Sequence, residues 1–193
     1  KLYGTIGPVP EERVLIAEDE SRLDFHGRSL LFLDAPGHAR HHYCVIDERS
    51  KTLFSGDNFG ISYREFDNEN GAFIFPTTTP VQFDPEAMRK TLDRLLSHKP
   101  QAVYLTHFGR VTNVEKLGSD LRNCLDQLVE MALELKQKGK AQQENLASGV
   151  HQILRERLRK HNCQLPESRQ DELLAFDYQL NAQGIKVWLD RLD

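Results

Sequence analysis

Cysteine is scarce in this sequence. Its three copies among 193 residues, Cys44, Cys124 and Cys163, are too few and too scattered for a disulfide framework or a zinc-ribbon cluster. They read as packing residues in a reducing, cytoplasmic setting. Long apolar runs are missing too. No stretch approaches the roughly 18 residues that span a bilayer, and no basic-then-apolar opening marks a signal, so no membrane partner is expected. Charge of one sign is not in excess either. The 25 basic and 29 acidic residues leave a net charge of −4 and are interleaved, which gives no footprint for nucleic acid. Apolar residues are in adequate supply, at 39%, so a folded chain with a sizeable core is the expectation.

The texture changes near Gly109-Arg110, which divides the chain into residues 1–110 and 111–193. In the first part, short β-rich runs at 13–17, 22–25, 29–34, 42–47 and 52–54 are separated by turn residues, including His26-Gly27 and Glu48-Arg49-Ser50. They read as an antiparallel meander. A helix follows, with Asp84 as N-cap, Pro85 at its first position and an apolar face of Met88, Leu92, Leu95 and Leu96. It feeds a buried strand at 102–106, so the class is α/β. Beyond Val111 the period becomes helical. One stripe runs from Leu117 to Leu135, a second from Leu146 to Leu158, and a third, after Pro166, from Leu173 to Leu180; Gly184 then allows a turn into 185–192. These stripes must bury against the β-rich part, each other or a second subunit.

Three motifs put metal-ligating side chains where strands end: Ala35-Pro36-Gly37-His38, Phe54-Ser55-Gly56-Asp57 and Leu105-Thr106-His107-Phe108-Gly109. Loops at strand ends combine a rigid base with access to solvent, and the glycines permit backbone conformations that a side chain would forbid. Imidazole and carboxylate suit zinc, iron or manganese, and a carboxylate can bridge two cations while lowering their repulsion. The chemistry points to a dinuclear hydrolytic site. Singly, each motif is an ordinary turn; the combination and its order are specific.

That order, Pro-Gly-His, then Leu-Phe-Ser-Gly-Asp about 20 residues on, then a buried strand ending in Thr-His after about 50 more, resembles the second half of the metallo-β-lactamase superfamily. The resemblance covers residues 1–109. It implies the C-terminal half of an αββα sandwich, with a helical extension over 111–193. It also implies two divalent metal ions, zinc foremost and iron or manganese as alternatives, with His38 a ligand of the first, Asp57 bridging both as the catalytic carboxylate, and His107 a ligand of the second. His42 matches a further histidine of the pattern and reads as a support for the site in preference to a ligand. His41 would alternate to the opposite face, as surface or subunit interface. His26, His98, His151 and His161 read as solvated. The aromatic stretch 60–75, with Tyr63, Arg64, Phe66 and Phe73, is a candidate pocket wall but reads more readily as core, with 76–80 fixing its exit.

The superfamily's His-x-His-x-Asp-His motif has no match here, since His38-Ala39-Arg40-His41-His42 does not fit it. The sequence therefore looks like part of a larger domain, whose N-terminal half is an expected partner and whose isolated activity would be poor or nil. The implied function is metal-dependent hydrolysis of a small-molecule ester, thioester, lactone or phosphodiester through a metal-bridging hydroxide. Alternatives are an oxidoreductase of the diiron or persulfide dioxygenase type on the same fold, and a non-catalytic module that dimerises through its helical tail.

Overall fold

The computed structural model describes residues 7–78 and 81–192. Six strands form one mixed sheet in sequential order: β1 (Arg22–Asp24), β2 (Ser29–Asp34), β3 (Tyr43–Asp47), β4 (Thr52–Gly56), β5 (Ala102–Leu105) and β6 (Gly109–Val111). All neighbours are antiparallel except β4 and β5, which pair in parallel across the long excursion that contains α1 (Pro85–Ser97). The helices α2 (Val114–Gln137), α3 (Gln143–Lys160) and α4 (Glu167–Asp190) follow.

Register and side-chain alternation give the sheet two unlike faces. Leu31, Ile46, Leu53, Val103 and Val111 are paired in one row across β2 to β6, and all are buried. Helices cover this face. Met88, Leu92 and Leu95 of α1 and Leu117, Leu121 and Leu125 of α2 join the row in a single apolar cluster that extends into α3 and α4. Each such side chain contributes roughly 1.5–3 kcal/mol by leaving water. The neighbouring row, Phe32, Val45, Phe54, Tyr104 and Arg110, lies on the opposite face. There Phe54 and Tyr104 are exposed and stack at 5.4 Å.

Local signals set the best-defined elements. Asp84 caps α1 by accepting the Ala87 N–H at 3.0 Å, with Pro85 inside the first turn. Two expectations fail. Residues 13–17 form no strand; they follow a 3₁₀ turn at Glu11–Arg13 and are exposed, because nothing pairs with them. Gly184 does not break the last helix. It is buried within α4, where packing compensates the weak helix propensity of glycine. The sheet also contains β6, which the sequence did not announce and which spans position 110. Among the described residues, no helix is long and apolar enough to cross a membrane.

Candidate metal centre

Each of the three strand-end motifs delivers its polar side chain to the same end of the sheet. After β2, Gly37 has a φ of 140° and passes so close to α1 that a Cβ would stand 2.5 Å from the Met88 Cα. The turn is pinned by the Asp84 N–H donating to the Gly37 carbonyl at 2.8 Å and by the His38 N–H donating to Asn58 Oδ1 at 3.2 Å. After β4, a bulge between Phe54 and Gly56 re-aims the chain and leads into Asp57. After β5, His107 occupies the turn into β6, where Phe108 has a φ of 71°.

Asp57 stands between the other two. His38 Nε2 is 3.4 Å from its Oδ2, and His107 Nε2 is 3.6 Å from its Oδ1. Asp57 Oδ1 is buried and accepts no hydrogen bond. A desolvated carboxylate oxygen without a donor is costly unless a cation or proton meets it. The two imidazoles are differently held. His38 is mostly buried, and its Nδ1 lies 3.1 Å from the Thr77 carbonyl, which can only accept, so Nδ1 carries the proton. His107 is half exposed.

His42 takes another role. Its Nε2 accepts the Asp57 backbone N–H at 3.1 Å, and its Nδ1 donates to the Tyr43 carbonyl at 3.1 Å, so both ring nitrogens are engaged. Burial, followed by the neighbouring His38, pushes its pKa below the usual histidine value, which keeps Nε2 available as an acceptor. His41 does not alternate away from it. Both precede β3 in a turn, and both line a cleft of about 730 Å³ that opens over His38 and Asp57 and runs along the outer sheet face past Tyr43 and Phe54.

Among the remaining histidines, His26 lies in the β1–β2 turn and His98 caps the end of α1. His151 and His161 are not simply solvated. His151 pairs with Asp171 at 2.9 Å, and half-buried His161 lies against Phe73 with Nε2 donating to the Phe66 carbonyl at 3.1 Å. The aromatic stretch is core, with Phe66, Phe73 and Phe75 buried; Tyr63 is partly exposed and stacks on Phe108 at 4.3 Å. Of its exit, Thr79 and Pro80 lie outside the described residues. Cys44 and Cys124 are buried, and burial raises both thiols to about 12, as befits packing residues.

In type, this donor set fits a divalent metal: two imidazole nitrogens flank a carboxylate with an orphaned oxygen. In number it falls short. Among the described residues, no group of three or more His, Cys, Asp or Glu side chains is gathered closely enough to hold an ion alone, and a catalytic zinc typically has three protein ligands.

A mixed sheet covered on one face by helices, with histidine and aspartate converging at its strand ends, defines an α/β protein with a candidate metal centre at one end of its sheet. Residues 3–107 match the Metallo-beta-lactamase superfamily, and the chain belongs to that family. It is 33% identical over 112 residues to the metallo-beta-lactamase fold-containing protein ST1585 of Sulfurisphaera tokodaii, a match covering 58% of this chain and 39% of that protein. The solved structure of ST1585 superposes with a TM-score of 0.57 at 23% identity, over 95% of this chain and 56% of that one. The family protein TTHA1429 of Thermus thermophilus gives 0.55 at 17% identity, covering 91% and 48%, and the sec-alkylsulfatase Pisa1 of Pseudomonas sp. gives 0.54 at 18%, covering 92% and 26%. The chain thus spans about half the length of these relatives or less.

Buried polar contacts around the site were not legible in the sequence. Asn58 donates to the Ala35 carbonyl at 2.5 Å and receives the His38 N–H. On α4, Asp177 accepts the Tyr63 hydroxyl at 2.7 Å and Asn181 engages Thr78. The one available signal was two polar residues, four apart, on the buried side of α4.

Proposed function

We propose that this chain supplies part of the two-metal site of a hydrolase, with His38 as ligand to one metal, Asp57 bridging both and His107 as ligand to the other. The observation that carries the reading is the Asp57 carboxylate, flanked on separate oxygens by two imidazole Nε2 atoms and left with a buried oxygen that nothing else satisfies. Zinc is the favoured metal for this donor set, with iron or manganese as alternatives. When bound, such a metal pair supplies water activation near neutral pH and Lewis-acid stabilisation of developing negative charge. The chain's own part is orientation. His42 fixes the backbone at Asp57, Thr77 fixes the His38 ring, and the end of the cleft that opens over His38 and Asp57 admits a small-molecule ester, thioester, lactone or phosphodiester.

The remaining ligands would come from a partner bearing a second sheet and a His-x-His-x-Asp-His segment, packed on the exposed face that carries Phe54 and Tyr104. Its apolar, cross-strand row is the surface a sandwich partner covers. The test is metal analysis of this chain assembled with such a segment. About two metal equivalents are expected, with both metal and hydrolysis lost in Asp57→Ala; hydrolysis by metal-free protein, or full metal loading despite the Asp57→Ala substitution, would sink the reading.

A further inference from the structure

We infer that Asn181, on the last helix of the tail, is a positioning residue for His38 and acts through a single peptide group. The Thr77 carbonyl and the Thr78 N–H belong to the same amide. On one side the carbonyl accepts the His38 Nδ1–H at 3.1 Å. On the other, the N–H donates to Asn181 Oδ1 at 2.8 Å. The Thr78 hydroxyl lies 2.9 Å from both that oxygen and the Asn181 carbonyl, so the tail grips the residue by main chain and side chain together. Asn181 is itself held, its Nδ2 donating to the Asp177 carbonyl at 3.0 Å one turn earlier.

Thr77, Thr78 and Asn181 are all buried, so water cannot replace a missing partner. Hydrogen bonds in series through one amide polarise one another. The Asn181 oxygen makes the Thr77 carbonyl a stronger acceptor, which holds the proton on His38 Nδ1 and leaves Nε2 as the nitrogen that faces Asp57. Free imidazole of histidine favours the opposite tautomer, with the proton on Nε2. The tail is therefore tied to the site's chemistry as well as to its core. A parallel link from the same helix face joins Asp177 to Tyr63, whose ring stacks on Phe108 beside His107.

The functional meaning of this inference rests on the proposed role of His38 as a ligand, while its geometric content does not. The experiment is long-range proton–nitrogen NMR of the histidine side chains in the whole metal-free chain, at alkaline pH where imidazole is neutral. In the unmodified chain, His38 is expected as the Nδ1–H tautomer. Asn181→Leu, with its fold checked by the amide spectrum, is expected to shift His38 toward Nε2–H, and Asn181→Asp, which keeps the acceptor oxygen, to restore Nδ1–H. Zinc titration of the chain assembled with the His-x-His-x-Asp-His partner segment gives the second readout, with affinity at least about 10-fold weaker in the Leu variant than in the Asp variant.

A folded Asn181→Leu protein with an unchanged His38 tautomer overturns the inference. Should that variant fail to fold, Asn181→Ala takes its place, and a chiefly Nε2–H His38 in the unmodified chain overturns it without any variant. If the chain assembled with the partner segment that bears His-x-His-x-Asp-His takes up no zinc, yet the metal-free chain shows the tautomer shift, the metal-site reading falls and the positioning role stands. Zinc uptake that depends on Asp57 but ignores Asn181, with no tautomer shift, does the reverse.

Discussion

Gly56 adopts a φ of 53°, and a Cβ built on it would stand 2.1 Å from Cε1 of His42. The glycine therefore makes room for the imidazole that accepts the Asp57 N–H. Gly56→Ala combines a left-handed backbone with a displaced ring, and it should cost roughly 1–3 kcal/mol in urea denaturation. The Asp57 amide should also lose its hydrogen-bonded chemical shift. A variant that keeps both would show that contact with His42 does not set this loop. At this scale the sequence was informative in its short motifs: His38, Asp57 and His107 each follow a strand, and the structure brings them within reach of one another. It was silent on Asn181. That residue lies 103 positions from Thr78, and no local pattern encodes such a contact.

The β3–β4 hairpin shows how an element depends on one carboxylate. Asp47, buried at the end of β3, accepts the Ser50 hydroxyl at 2.7 Å and the Arg49 N–H at 3.1 Å, with Arg28 paired to it from the neighbouring strand connection. The bond from Ser50, followed by that from Arg28, lowers its pKa from 3.8 to about 2. Because the unfolded chain holds this proton more tightly, the stabilisation is complete above the unfolded value near 3.8 and disappears as pH falls through about 2. Asp47→Asn should thus lower stability at neutral pH and flatten the loss between about pH 4 and about pH 2, as read by urea midpoints across that window. An acid limb identical to that of the unmodified chain would place the pH sensitivity elsewhere. Elements with local instructions were legible, α1 above all, with its Asp84 cap and Pro85. Strand pairing was less so. Residues 13–17 look like a strand but have no partner, whereas the three residues of β6 are a strand only because Val103, Tyr104 and Leu105 lie opposite them.

At the scale of the whole molecule, the apolar surface is unevenly distributed. The helical stripes of α2, α3 and α4 are largely spent within the chain, and the exposed large apolar residues of the tail, Leu133, Phe176 and, beyond α4, Leu192, belong to separate stretches. The outer sheet face differs. Tyr43, Phe54 and Tyr104 are about half exposed there, with Phe32 tilted against Tyr43 at 6.0 Å and Phe54 stacked on Tyr104 at 5.4 Å. A contiguous apolar patch on a sheet, here two aromatic pairs joined through Val45, marks a surface that another element covers, and monomeric proteins seldom leave one open. The double variant Phe54→Lys and Tyr104→Lys removes the stack without touching the buried row of Leu53 and Val103, so its stability cost should stay within about 1 kcal/mol per position. Binding of a hydrophobic dye and concentration-dependent light scattering by the isolated chain should both fall sharply, and a sheet-bearing partner should no longer be retained. If dye binding and scattering persist at the unmodified level in a folded double variant, the adhesive surface is not this face, and the sandwich partner proposed for it loses its docking site.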